Sequence, residues 1–239
     1  MDSWDDRSAW RTRTGASPMG TGEGLRVRIV RDDVSAAASA RHRYGRVGNL
    51  ALPACEICRK PLDLVFDFDL RDPQLEGLGV RGMERLLVLS CLSCDLAYAG
   101  QLYYRVSGSS VEVLRNEATT AFDSPWPTAL PPCALQLVPI PPEELPGSYA
   151  NEDEWRTAVE FSDPPIHQLG GVPLWVQDEL DVRCILCRKR MRLLGQVASE
   201  TWPVGDGDRL AGHMFGDMGM IYIHYCDACG VLATGGSCY

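Results

Sequence analysis

The chain has 239 residues, with 23 Lys and Arg against 32 Asp and Glu and a net charge of −9. A protein that coats phosphate draws its affinity from a basic face, so this balance speaks against a general nucleic-acid binder. No run approaches the roughly 18–20 consecutive apolar residues of a membrane helix, and the opening Met1-Asp2-Ser3-Trp4-Asp5-Asp6 is unlike a signal peptide, so a cytoplasmic, reducing location is expected.

The acidity is confined to one block. Residues 1–50 sum to +3, 51–111 to −2, 112–181 to −11 and 182–239 to +1. In chain order, residues 1–24 are rich in Gly, Ser, Thr and Asp without apolar periodicity, and predict a flexible tail with Trp4 and Trp10 as its candidate anchors. Alternation at 25–30 predicts the first strand, and 35–43 a short helix after Asp33. Leu62, Leu64, Phe66, Phe68 and Leu70 recur at period two opposite Asp63, Asp67 and Asp69. This pattern predicts a strand buried on one side, with an acidic outer face.

Further strands are expected at 85–90, 101–106, 110–115, 134–139, 191–198 and 220–225, the last with a half-buried His224. A helix is expected at 151–160, capped by Asn151, with Glu152, Asp153 and Glu154 complementing the helix dipole. Eight of the sixteen prolines fall within 123–147 and mark a rigid connection or wrapped loop. The predicted fold class is mainly β, α+β with few short helices. Its organisation is a tail over 1–24, a first β-rich half over 25–122, a Pro-rich connection over 123–150 and a second half over 151–239.

Eight of the ten cysteines form four C-x-x-C pairs: Cys55/Cys58, Cys91/Cys94, Cys184/Cys187 and Cys226/Cys229. Such a pair on a tight turn brings two thiolates to one metal, and two pairs complete a tetrahedron. Chain order assigns Cys55, Cys58, Cys91 and Cys94 to one structural zinc site and Cys184, Cys187, Cys226 and Cys229 to a second. Disulfides or buried free thiols are the plainer alternative. Four thiolates leave no open position for water, which argues against zinc hydrolysis. The flanking Arg59-Lys60, Arg183 and Arg188-Lys189-Arg190 are read as compensation for the anionic clusters.

Cys55-Glu56-Ile57-Cys58-Arg59-Lys60 aligns with Cys184-Ile185-Leu186-Cys187-Arg188-Lys189 at an offset of 129, and the second arms align at 135. Six extra residues therefore fall in the second loop, near Gly205-Asp206-Gly207-Asp208. The reading is an internal duplication of zinc-ribbon-like units.

His167-Gln168-Leu169-Gly170-Gly171-Val172-Pro173-Leu174-Trp175-Val176-Gln177 precedes the third pair, Leu193-Leu194-Gly195-Gln196-Val197 follows it, and Phe215-Gly216-Asp217-Met218-Gly219-Met220-Ile221-Tyr222-Ile223-His224-Tyr225-Cys226 leads into the fourth. This order resembles the YwqG-like domain-of-unknown-function family of bacteria and the related programmed cell death 2 proteins of eukaryotes. The match covers roughly 165–235; the N-terminal half matches mainly through the repeat. The resemblance implies a duplicated β-rich domain without enzymatic activity. For the eukaryotic relatives it implies a chaperone holding a new small-subunit ribosomal protein, and for some bacterial ones an immunity role beside a toxin. Val172 stands where a larger residue is common, and the extra metal-binding finger of the eukaryotic relatives has no counterpart here, so that client does not carry over.

The function expected is a non-enzymatic, zinc-stabilised module, monomeric or weakly dimeric, that holds a basic protein client or neutralises a toxin. It is not expected to bind nucleic acid or membrane. Its candidate partner contacts are His167, Trp175, Gln177, Glu152, Asp153 and Glu154, since acidic surfaces attract basic partners at long range; the plainer reading is a glycine turn with a core tryptophan, and acidic loops that keep the protein soluble. An enzyme is disfavoured because His42, His167, His213 and His224 sit in no catalytic motif. Redox sensing through zinc expulsion is a third reading, with Cys133 and Cys238 left outside the pairs and Cys238 expected near the surface.

Overall fold

The computed structural model describes residues 24–31, 36–45, 50–96, 100–121, 130–160, 162, 165–204 and 210–238. The tail with Trp4 and Trp10, and the loop Gly205-Asp206-Gly207-Asp208, lie outside them. The chain is mainly β. Its strands are β1 (Gly24–Val30), β2 (Arg43–Tyr44), β3 (Asp63–Asp69), β4 (Arg85–Ser90), β5 (Gln101–Ser107), β6 (Ser110–Asn116) and β7 (Cys133–Pro139). After helix α1 (Glu152–Glu160) come β8 (His167–Gly170), β9 (Arg192–Ala198), β10 (Glu200–Pro203), β11 (Leu210–His213), β12 (Met220–Cys226) and β13 (Val231–Ser237).

Eleven strands form one sheet in the order β4-β3-β2-β7-β1-β8-β9-β12-β13-β5-β6, and β10-β11 form a separate hairpin. The two halves expected from sequence are thus woven together: β1 pairs with β8, and β13 pairs with β5. β7, inside the Pro-rich segment, sits between β2 and β1. Its flanking prolines bound the strand, as they must where a ladder needs its N–H groups.

Helix α1 forms where expected, with the Glu154 N–H donating to Asn151 Oδ1 at 2.9 Å and the Ala150 N–H to Glu154 Oε2 at 2.9 Å. The helix expected at 35–43 shrinks to a 3-10 turn, Ala36–Ala38. Arg43 and Tyr44 instead pair with β3 and β7, because ladder hydrogen bonds on both sides outweigh weak helical propensity.

The acidic outer face expected on β3 is corrected. Asp67 and Asp69 are each only 8% exposed. Asp67 pairs with Arg85 at 2.5 Å and Asp69 with Arg71 at 2.8 Å. A bulge lies behind this: the register slips between Leu64, opposite Leu89, and Phe66, opposite Val88. Adjacent residues of β4 face opposite ways, so the bulge moves the apolar set from one face to the other and both faces become buried. The Arg71 guanidinium beside Asp69 holds its carboxyl well below the usual carboxylate range.

Both sheet edges are protected. At β4 the Tyr104 hydroxyl donates to the Leu87 carbonyl at 2.7 Å and accepts from the Leu89 N–H at 3.3 Å, while Thr234 Oγ1 donates to the Leu89 carbonyl at 2.5 Å. Side chains of β5 and β13 thus satisfy the backbone of an edge strand folded over them. At β6 a bulge at Leu114 interrupts the outer edge, the usual device against edge-to-edge pairing. Tyr104→Phe is expected to cost about 1–3 kcal/mol by leaving the Leu87 and Leu89 groups buried without a partner. Urea unfolding checks this; a loss under about 0.5 kcal/mol means that water or another donor replaces the hydroxyl.

Candidate metal centres

Each first-arm knuckle is built by the same short backbone ladder. The Cys55 N–H donates to the Lys60 carbonyl at 2.8 Å and the Arg59 N–H to the Cys55 carbonyl at 2.9 Å. The Cys184 N–H donates to the Lys189 carbonyl at 2.9 Å and the Arg188 N–H to the Cys184 carbonyl at 2.8 Å. Arg59 and Arg188 both adopt left-handed backbone, φ 64° and 62°. Few non-glycine residues hold this conformation, and its recurrence at the same knuckle position is strong evidence that the two turns are alike. The second arms differ. Cys226 to Gly230 closes the β12–β13 hairpin, with the Gly230 N–H donating to the Cys226 carbonyl at 2.9 Å. Cys94 instead bridges to Ala121 beyond β6.

The side chains converge as the spacing predicts. The sulfurs of Cys55, Cys58, Cys91 and Cys94 lie within 4.8 Å of one another, as do those of Cys184, Cys187, Cys226 and Cys229. All ten cysteines are free. Neighbouring sulfurs stand 3.6 Å apart for Cys55–Cys94, 3.5 Å for Cys58–Cys91 and 3.6 Å for Cys187–Cys226. A disulfide needs about 2.05 Å. Thiolates at about 2.3 Å from a tetrahedral ion stand roughly 3.8 Å apart, so the donor sets fit a metal ion of that geometry.

Charge supports the same conclusion. Cys187 is drawn down to about 7, chiefly by the Lys189 N–H, and Cys55 falls because the N–H groups of Cys58 and Ile57 outweigh its burial. Burial pushes Cys94 up to about 12, and the Cys187 sulfur pushes Cys229 up to about 12. One thiolate per cluster is favoured while Cys91 and Cys94 in the first and Cys226 and Cys229 in the second resist ionisation, which a divalent cation reverses. The flanking cations contribute less than expected: Arg190 pairs with Glu179, and Arg183 with Asp181 at 2.8 Å. Lys60 donates to Ser93 at 3.2 Å. Arg59, Arg188 and Lys189 remain exposed.

The Gly170-Gly171 motif is a structural staple. Both glycines take left-handed φ, 66° and 69°. The Gln168 side-chain amide donates to the Val172 carbonyl at 2.7 Å, closing the turn. Leu174 N–H donates to Gln196 Oε1 at 2.8 Å, Val176 N–H to the Tyr222 hydroxyl at 2.9 Å, and that hydroxyl donates to the Leu174 carbonyl at 2.9 Å. Trp175 packs against Tyr222 at a tilt of 38°, with centroids 4.5 Å apart. Gln177 is exposed but tied to the Cys238 carbonyl at 2.9 Å. His167, a candidate partner contact from sequence, is 1% exposed and lies in the interior, which removes it from any partner surface. Glu152, Asp153 and Glu154 are exposed, Glu152 4.0 Å from Arg156. Cys238 and Cys133 are both buried.

Sequence reasoning missed a buried histidine cluster under the β10–β11 hairpin. His167 takes the Ala198 N–H on Nδ1 at 3.2 Å and donates from Nε2 to Glu200, which also pairs with Arg31. His213 accepts from the Tyr44 hydroxyl on Nδ1 at 2.9 Å and donates from Nε2 to the Ala198 carbonyl at 2.8 Å. Burial lowers His213 to about 4 and His167 well below the usual histidine range, so both are neutral. The residues come from β2, β8, β10 and β11, and no local pattern joins them. Compared with known proteins, the chain matches no family model and no curated relative.

Proposed function

We propose that the protein is a non-enzymatic, zinc-stabilised module that holds a basic protein partner. The observation that carries the metal half is the pair of four-sulfur clusters: soft thiolate donors at tetrahedral spacing suit zinc, and four of them leave no position for a reacting water. The zinc serves the fold. It ties the knuckle before β3 to the end of β4, and the knuckle before β9 to the β12–β13 hairpin. The resemblance to the YwqG-like and programmed cell death 2 families supports a holding role over catalysis.

The basic partner rests on a narrower acidic surface than the sequence suggests. Asp67 and Asp69 are consumed by Arg85 and Arg71, and Glu179 and Asp181 by Arg190 and Arg183. Among the described residues of the acidic 112–181 block, Glu112, Glu143, Glu152, Asp153, Glu154 and Asp178 stay exposed outside those pairs, and the first turn of α1 gathers three of them. Charges there steer a cationic surface over a Debye length and are screened by salt.

Affinity capture from the host tests this, comparing wild type with a variant carrying Glu152→Gln, Asp153→Asn and Glu154→Gln. These changes keep acceptor oxygens for the helix start while removing charge. One basic protein held by wild type, released by salt and lost from the variant, is the expected result, and its identity separates a folding client from a toxin. Equal capture by both proteins removes the α1 surface from the reading.

A further inference from the structure

The two cysteine clusters are not equivalent. Resting on the metal reading above, we propose that they are kinetically unequal sites. The 55/58/91/94 cluster holds its metal durably, with Asn116 as the residue that fixes Cys55. The 184/187/226/229 cluster is the exchangeable one.

Three independent observations separate them. The first is a side-chain donor to sulfur from outside the cysteine set, found at no ligand of the second cluster among the described residues, whose sulfurs take backbone N–H groups instead: Asn116 Nδ2 donates to Cys55 Sγ at 3.3 Å. The amide cannot be turned round, because Asn116 Oδ1 already accepts the Ala118 N–H at 3.0 Å, which leaves the NH2 group facing sulfur. Asn116 ends β6, so the sheet itself aims this donor. A donor on a metal thiolate spreads its charge and resists its departure, and outer partners of this kind typically change metal affinity about 10–100-fold.

The second observation is a strap. The Asp95 carboxylate, next to Cys94, accepts the Thr119 and Thr120 N–H groups at 2.8 and 3.1 Å, and the Asp95 N–H donates to the Thr120 carbonyl at 3.0 Å. The chain leaving β6 is thereby fastened over the first cluster. The second cluster ends in the turn Cys226 to Gly230, which is tied through side chains of other strands rather than by a backbone strap: Arg192 donates to the Asp227 carboxylate at 2.7 and 3.2 Å, an ion pair open to water, and Arg105 to the Cys229 carbonyl at 3.3 Å.

The third is access. Three of the four ligands are buried in the first cluster and two in the second, where Cys187 and Cys229 both reach the surface. The knuckle tip follows suit, with Leu186 50% exposed against 36% for Ile57. Metal leaves a thiolate site when an incoming donor bonds to the ion as a metal–sulfur bond breaks and the released sulfur takes a proton from water. That approach is open at two sulfurs of the second cluster, Cys187 and Cys229, and at only one of the first, Cys58.

The test uses the full zinc-loaded chain and the chromogenic chelator 4-(2-pyridylazo)resorcinol, with total zinc per chain measured separately. Two zinc ions released in two phases at least about tenfold apart are expected. N-ethylmaleimide added after the fast phase, followed by peptide mapping, is expected to label Cys184, Cys187, Cys226 and Cys229 and spare the other four ligands. Asn116→Asp keeps the Ala118 contact but cannot donate to sulfur, and is expected to speed the slow phase about 10–100-fold and shift the sulfur-to-metal band of the cobalt-substituted protein. Asn116→Leu serves as a second variant if the added charge prevents folding. A single release phase, or early labelling of Cys55, Cys58, Cys91 and Cys94, overturns the inequality. An unchanged slow phase in both variants overturns the role of Asn116. Fewer than two zinc ions in wild type sinks the metal reading itself.

Discussion

Cys187→Ala is expected to remove one of two bound metal equivalents and to lower the unfolding free energy by on the order of 5 kcal/mol or more. The side chain is half-buried, so losing its sulfur creates little cavity and the effect has to act through the ion. Structural zinc supplies roughly 10–16 kcal/mol in small finger peptides, against whole-domain stabilities of about 5–15 kcal/mol. The damage is also expected to spread. Cys226 ends β12, which pairs with β9 and β13, and β13 pairs with β5. A failure that begins in the 151–239 segment therefore reaches strands of the first half. Atomic emission, denaturant unfolding and hydrogen exchange at the β5 amides measure the three effects. Unchanged metal content and melting in this variant would refute the site.

Acid is expected to weaken the protein through His213. Its folded-state value near 4 lies below about 6.5 for a free histidine. Between these values the unfolded chain binds the proton more readily, so stability falls as pH drops from about 6.5 to about 4, by about 3 kcal/mol in all. His167, also depressed by burial, acts in the same direction. Asp63 opposes them: burial lifts its carboxyl to about 6, so its contribution is present at low pH and is lost as pH rises through the same window. The informative quantity is consequently the difference between wild type and His213→Gln, followed by denaturant unfolding across that range. Glutamine keeps a side-chain amide near the Ala198 carbonyl but does not titrate. The wild type is expected to lose about 3 kcal/mol more than the variant between pH 6.5 and 4. Parallel curves would mean that His213 is protonated in the fold.

The two four-cysteine clusters were legible because their geometry is local. A C-x-x-C turn places two sulfurs by itself, and the shared Cys-x-x-Cys-Arg-Lys run announced that two turns would be alike, down to the left-handed Arg59 and Arg188. Most of the strands at 25–30, 62–70, 85–90, 101–106, 110–115, 134–139, 191–198 and 220–225 were equally local, since period-two alternation reports a pleated surface. β13 escaped because Val231 to Ser237 lies between β12 and β5 and is nearly all buried, so it shows no alternation. β10 and β11 are short and carry no periodic signal.

What only tertiary structure decided concerns faces, neighbours and charge. One bulge at Val65 turned an apparently acidic surface inward, and alternation cannot reveal an extra residue in a ladder. His167 reads as a polar residue beside a glycine turn, yet the crossing of β8 under the β10–β11 hairpin buries it against Glu200. Asn116 meets Cys55 across 61 residues because β6 ends beside the first knuckle. The sequence by itself thus determined the cysteine clusters and most of the strands, because each depends on residues a few positions apart. Sheet order, the weaving of the two halves and the surroundings of every buried charge depend on pairings between distant segments, whose free energy no single segment encodes.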